Sequence, residues 1–366
     1  MRTFCYVLCA LALLLSLRCE DSGVAPPEPL SLIPFRGLIL FSVYGGGSAL
    51  PDGVWALDLH EGTYSLRLVA AGGSDGRIST DGKLVVYAKV SPQGSQDIYF
   101  VPAAGGPEHD LTNRTGVSEY YPDIFSGIPT VVAFSAFFAT TTSATAICRV
   151  DTGGSGLRAL TDTVRGAPGS WAPRWSPDGL NIACIREVTP IATSKYALVL
   201  LAADGSESRD LAESGNLTPP AWSLDGLFVA YETPSRGIGV INLQTGLTKE
   251  LTSPGKVFIP NGWLWTKTGE FYCFGRTSND SLNDVFLFPS PFADATHVTI
   301  PAGFCYGAVL LSSPEGKTIG ILGGKTVAEL SFYILNDQGS EFLKIIHLDS
   351  GGAQIQPGGF AQWVGK

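Results

Sequence analysis

The chain has 366 residues, 45% of them hydrophobic and only 16% charged, with 44 Gly, 24 Pro and a single Met. Soluble domains ordinarily carry about 25% charge, so this apolar composition excludes both a disordered polyampholyte and a long charged helix. Lys+Arg number 24 against Asp+Glu 33, a net charge of −9, which argues against nucleic acid as a partner. One core stops growing at about 250–300 residues, so the chain holds two domains or an array of repeats.

The N-terminus comes first. Arg2 precedes an apolar run from Phe4 to Leu17. A membrane span needs ~20 residues, so this run fits the layout of a signal peptide over residues 1–18 better than a spanning helix. Cys19 follows it, in the place where a bacterial lipoprotein signal puts its lipidated cysteine. Lipidation at Cys19, plain secretion and an uncleaved anchor all fit this layout. Residues 19–35 are Pro-rich and acidic and read as a flexible tether.

The rest of the chain is repetitive. The segments ISTDGKLVVYAK (78–89), PRWSPDGLNIACI (173–185) and PAWSLDGLFVAYE (220–232) are copies of one pattern, and GWLWTKTGEFYCF (262–274) and LSSPEGKTIGIL (311–322) are weaker copies. A divergent copy, DIFSGIPTVVAFSA, places Gly127 at the turn. The turn glycines are then Gly82, Gly127, Gly179, Gly226, Gly269 and Gly316, at spacings of 45, 52, 47, 43 and 47. A period in the forties of strand-like sequence is the signature of propeller blades. Each unit carries four strand signals. One ends at the turn and one follows it. A third apolar run lies at 97–103, 145–151, 196–202, 237–243, 284–290 and 330–336. A fourth is often marked by Leu-Thr, as in 108–113, 157–162 and 248–253.

The ends complete the count. Residues 37–44, 54–59 and 64–69 read as second, third and fourth strands with no first, and 358–366 reads as a first strand with nothing after it. The expected fold is therefore an all-β propeller over residues 36–366. It has seven four-stranded blades, with six or eight still open, and the C-terminal strand completes the N-terminal blade and removes an exposed edge.

At Trp175-Ser176-Pro177-Asp178-Gly179 and Trp222-Ser223-Leu224-Asp225-Gly226 the sequence resembles the TolB-like, WD-repeat-like β-propeller family, over most of residues 37–366. The resemblance implies architectural roles for these motif residues and for Asp81, Gly82, Trp265, Gly269 and Gly316. Asp and Gly suit a tight turn, and Trp fills space between blades. It also implies a scaffold for protein contacts in the bacterial envelope, in the periplasm or on the outer membrane. Related propellers cap serine peptidases of the prolyl oligopeptidase group, for which no following hydrolase domain is present in this sequence.

Chemistry is sparse. Cys148, Cys184, Cys273 and Cys305 are widely spaced, with no CxxC pair, and read as buried small hydrophobes. His60, His109, His297 and His347 fall on different blades near outer strands. There is no GxSxG elbow and no HExxH, and Gly316-Lys317-Thr318 lacks the first glycine of a phosphate loop. No catalytic group, cofactor or metal is expected. The one pair of carboxylates to weigh for a glycosidase or lyase is Glu119 and Asp123. Interfaces anchor on aromatics and Arg. The candidate partner-binding residues are Tyr120, Tyr121, Trp171 and Arg174 at inner-strand entries, with Phe137, Phe138, Arg186 and Lys195 on long second-to-third loops. The expected function is a non-catalytic, monomeric, exported scaffold for an envelope protein or peptide. A glycan is the alternative ligand, and contact with the membrane is expected only through a lipid anchor.

Overall fold

A computed structural model describes residues 36–365, apart from segments 45–49, 61–62, 140–143, 165, 189–194, 253–254, 278–283, 299–305, 314–315, 317, 325–328, 336–341, 350–353 and 356–361. Cys19, Cys305 and the signal and tether segments therefore lie outside the described residues. The strands form seven antiparallel sheets, six of them with their strands in chain order from the centre outward. This is a seven-bladed propeller. Blade 2 is typical: Gly73–Ile78 is innermost, then Leu84–Val90, Gln96–Pro102 and His109–Asp110. The inner strands of blades 3 to 7 are Val117–Phe125, Ser170–Trp175, Ala221–Trp222, Lys256–Trp265 and Tyr306–Ser312.

Blade 1 closes the ring as expected. Gly37–Tyr44, Gly53–His60 and Thr63–Ala71 are its second, third and outer strands. Its inner position is filled from the C-terminus, by Gln362–Val364 against Leu38–Leu40 and also by Gln354–Ile355 against Val43 and Tyr44. The second of these C-terminal pairings is not evident from the sequence.

The repeat motif builds the blade turn. Ser79, Ser176 and Ser223 each donate to the aspartate two residues on, Asp81, Asp178 and Asp225, at 2.6 Å. The same carboxylates accept the backbone N–H of Lys83, Leu180 and Leu227. Gly82, Gly179 and Gly226 follow at φ +70° to +73°, where a side chain is disfavoured. Gly127 does not share this left-handed conformation. The blade 3 turn, Ser126-Gly127-Ile128-Pro129, is built differently, which is why its copy of the motif is weak.

The Leu-Thr step is a strand terminator. In blades 2 and 3 the Leu111 and Leu160 amides donate to the Ile98 and Ile147 carbonyls. The next residue turns its hydroxyl to the ladder instead: Thr112 Oγ1 and Thr161 Oγ1 accept from the Ile98 and Ile147 amides at 3.0 and 2.9 Å. The outer strands stop there at two residues each. Blade 4 has Ala212 in place of the threonine, and its outer strand runs the full length of Ser208–Ser214.

Buried apolar residues gather between blades. Blades 1 and 2 meet through Leu40, Val54, Ile78 and Tyr87, blades 3 and 4 through Val131, Ile147, Ile182 and Val199, and blades 7 and 1 through Phe332, Leu322, Phe41 and Trp363. Cys148, Cys184 and Cys273 are free and buried in these seams, as the sequence suggested. The motif tryptophans also bolt blades together. Trp222 Nε1 donates to the Arg174 carbonyl at 3.0 Å, and Trp265 Nε1 to the Ala221 carbonyl at 3.2 Å.

Candidate functional site at the mouth of the central channel

The inner strands wall the channel, and they are bulged. Register slips occur between Ser74 and Arg77, Tyr120 and Asp123, and Trp171 and Arg174. Inside each slip a non-glycine residue takes a left-handed conformation: Asp75 at φ +55°, Tyr121 at +53° and Ala172 at +55°. Such residues cost about 1–3 kcal/mol each and persist only when their surroundings hold them. The neighbouring blade does the holding. Ser42 Oγ accepts from the Gly76 amide, Asp75 Oδ2 from the Tyr121 amide and Ser135 Oγ from the Ala172 amide, at 3.1, 3.3 and 2.9 Å.

The bulges bring charged side chains together beside the channel. Arg77 donates through Nε to Asp123 Oδ1 at 3.0 Å, and Asp123 Oδ2 accepts the Trp175 amide at 2.8 Å. Asp123 thus ties blades 2, 3 and 4 into one unit. Arg174 lies in the same cluster, only 6% exposed. Burial, reinforced by the neighbouring Arg77, pulls its guanidinium down to about 10, while Asp123, Asp75 and Tyr121 oppose that shift. It stays cationic at neutral pH. Burial and then the Asp75 carboxylate push the Tyr121 phenol up. The cluster holds two cations and two anions, all from blades 2 to 4. At the position just before the motif tryptophan, where blade 4 has Arg174, blades 5 and 6 have Ala221 and Leu264.

Above this charged floor lie Tyr120, Tyr121 and Trp171, all half-buried. A Cβ on Gly169 would fall 2.1 Å from the outer edge of the Trp171 indole, so a side chain there would force the ring to shift. The structure therefore brings Tyr121 beside Tyr120 and Arg174 and puts Trp171 on the same inner strand as Arg174, but Arg174 is a buried part of the channel wall and not a surface anchor. The sequence reading missed Asp75, Arg77 and the floor role of Asp123.

The other candidates are dispersed. Phe137 and Phe138 end a strand, paired with Thr145 and Ala144, and do not sit on a loop. Phe137 is exposed, whereas Phe138 packs under Arg114, 5.4 Å from the ring centre. Arg186 is ion-paired with Asp210. Both line a groove of about 390 Å3 between blades 3 and 4, with Asp162, Glu187 and Ser170. Lys195 is exposed. His109 and His297 lie on outer strands as expected, and His60 ends a third strand.

Glu119 and Asp123 do not face each other across the channel. Glu119 is fully buried and ion-paired with Arg114, and it accepts from Thr112 and from the Ile98 amide at 3.2 Å. Burial pushes its carboxyl up, more than Arg114 and Thr112 pull it down. An acid raised in the folded state binds an extra proton there, so its stabilising contribution is full below its unfolded pKa and is lost as pH rises through the folded one. Denaturant titrations should show the parent losing stability relative to Glu119→Gln as pH rises above about 4.5. Equal slopes would refute this. Among the described residues, no three of His, Cys, Asp and Glu are gathered so as to hold a metal ion.

No protein-family profile matches the chain, and no curated protein matches it in sequence. Solved structures do. A puromycin hydrolase, crystallised as its S511A mutant, superposes with TM-score 0.64 at 15% identity over 90% of this chain and 56% of its own, so the chain spans just over half its length. TolB from Acinetobacter baumannii gives 0.51 at 16% identity, over 90% of this chain and 83% of that one. A periplasmic gluconolactonase from Pseudomonas aeruginosa gives 0.58 at 12%, over 88% and 99%. At these identities the likeness establishes the propeller fold, shared with TolB and with enzymes alike.

Proposed function

We propose that the protein is an exported, non-catalytic binding propeller, anchored by lipid at Cys19, that receives a segment of an envelope protein or peptide at the channel mouth of blades 2 to 4. The observation that carries this reading is the buried Asp75–Arg77–Asp123–Arg174 cluster with Tyr121 against it, on inner strands that also carry the half-buried Tyr120 and Trp171. Half-buried aromatic rings offer apolar contact area at low entropic cost, which is what binding anchors require. The strained bulges hold them in one arrangement before a ligand arrives. Export is supported by the apolar leader and by the likeness to TolB and to a periplasmic gluconolactonase.

The test is crosslinking of tagged full-length protein in its native envelope, followed by identification of what co-purifies. A recurrent protein partner is expected. Trp171→Ala should cut its recovery about tenfold, equivalent to ~1.4 kcal/mol, and should leave the thermal midpoint within a few degrees, because the ring is only half-buried. Undiminished recovery, or a variant that unfolds, would overturn the assignment of this mouth.

A further inference from the structure

The face opposite the channel mouth carries a second surface. All inner strands run in one direction, so all the turns that follow them emerge on one side. Neighbouring turns touch there. The Thr80 amide donates to Ser126 Oγ at 3.0 Å, the Gly179 turn rests on the Phe125 ring, and a Cβ on Gly226 would lie 3.9 Å from Pro177 Cδ. In blades 3, 4 and 5 these turns expose aliphatic side chains. Ile128 is fully exposed, Leu180 is 67% exposed and Leu224 is 51% exposed, with Pro129 and Pro177 between them. The corresponding turns of blades 2 and 6 carry Asp81, Lys83, Lys267 and Thr268 instead. Among the described residues of these five turns, the exposed aliphatic side chains fall on three consecutive blades. Isolated exposed aliphatics are ordinary, but a contiguous group on one face marks an interaction surface.

The chain itself enters on this face. Gly37–Tyr44 occupies the second-strand position, the strand that leaves the turn in every other blade, so Arg36 and Gly37 lie level with the turns. The proposed lipid anchor, Cys19, lies 16 residues before Phe35, within reach of this face through a Pro-rich tether. We infer that the Ile128–Leu180–Leu224 face rests on a lipid surface, with these side chains entering the headgroup–acyl boundary. The inference rests on the proposed anchoring of the N-terminus. The turn face carries carboxylates (Asp81, Asp178, Asp225) as well as Lys83, so contact depends on the aliphatic groups and not on anionic lipid. Three aliphatic side chains hold a membrane only weakly and reversibly, as a single acyl chain does. A tether supplies the high local concentration that makes such contact persist. The channel mouth then points away from the membrane, toward a partner.

The experiment uses full-length protein with its N-terminus as the cell leaves it, mixed with phosphatidylcholine vesicles. A photoreactive phenylalanine analogue replaces Ile128, Leu180 or Leu224, and Phe137 on the opposite face as control. Flotation with the vesicles and lipid adducts at least fivefold stronger at 128, 180 and 224 than at 137 are expected. Adding Ile128→Ser and Leu224→Ser to the probe at 180 should return its adducts to the control level. A protein that floats but gives equal adducts on both faces overturns the inference and leaves the anchor standing. Crosslinks at 180 to a second copy of the chain in place of lipid also overturn it. A protein that stays in the soluble fraction overturns both readings.

Discussion

Asp123→Ala should lower the unfolding free energy by about 3–5 kcal/mol, the usual result of removing one member of a buried ion pair. The carboxylate is 6% exposed and has two different partners on two different blades. Its loss removes the carboxylate that the Arg77 guanidinium, 15% exposed, meets at 3.0 Å, and takes away the acceptor of the Trp175 amide. It also removes an anion that helps Arg174 remain charged in a fully buried position. A buried donor left without an acceptor costs about 1–3 kcal/mol by itself. Asp123→Asn keeps an oxygen for the Trp175 amide and should lose about half as much. Denaturant unfolding with both variants measures the two contributions. Losses under about 1 kcal/mol for the alanine variant would show that the cluster is not what holds blades 2, 3 and 4 together.

The same cluster shows where sequence reading stops. Blade architecture was legible because its devices are local. The Ser-x-Asp-Gly turn, the aspartate two residues from its serine and the left-handed glycine all lie within a few residues, and so recur as a string. The third strands were legible from their apolar runs, with Tyr196–Ala202 matching residue for residue. The ring closure was legible because a first strand was missing at one end and present at the other.

The channel floor was not legible, and the reason is the bulge. Each slip inserts residues into the inner strand, so alternation no longer says which side chain faces which blade. Asp75 and Arg77 sit in GGSDGRI, which reads as a polar turn. Their partners, Tyr121 for Asp75 and Asp123 for Arg77, each lie 46 residues on, one blade period away. Arg174 read as an exposed anchor because arginines beside aromatics usually are; only packing shows that Arg77, Asp123 and Asp75 enclose it. The Leu-Thr step was noticed as a marker, but its use of the threonine hydroxyl to end the outer strand is a tertiary hydrogen bond to another strand. Blade 4, which lacks that threonine, shows the consequence in its longer outer strand.

Trp363→Ala should cost about 3–5 kcal/mol, the range for truncating a large aromatic in a core, although the residue is only three from Lys366. Its ring is 7% exposed and meets Phe332 of blade 7 edge-on, with centres 5.6 Å apart. Its backbone pairs with Ile39 of blade 1. The adjoining Gln362 accepts the Ile78 amide of blade 2 at 2.8 Å. Three blades therefore meet at this short strand. In an open repeat array, losing a terminal element costs one interface and little else. In a closed ring the same loss opens a seam, leaves Leu38–Leu40 as an unpaired edge and exposes the apolar cluster behind it. Deletion of residues 362–366 should go further than the point variant and give a chain that aggregates during heating, visible as light scattering that precedes the loss of near-ultraviolet circular dichroism. If both variants melt within a degree or two of the parent and stay monomeric, the blades hold without their clasp. The architecture would then have to be described as a curved stack whose ends merely adjoin.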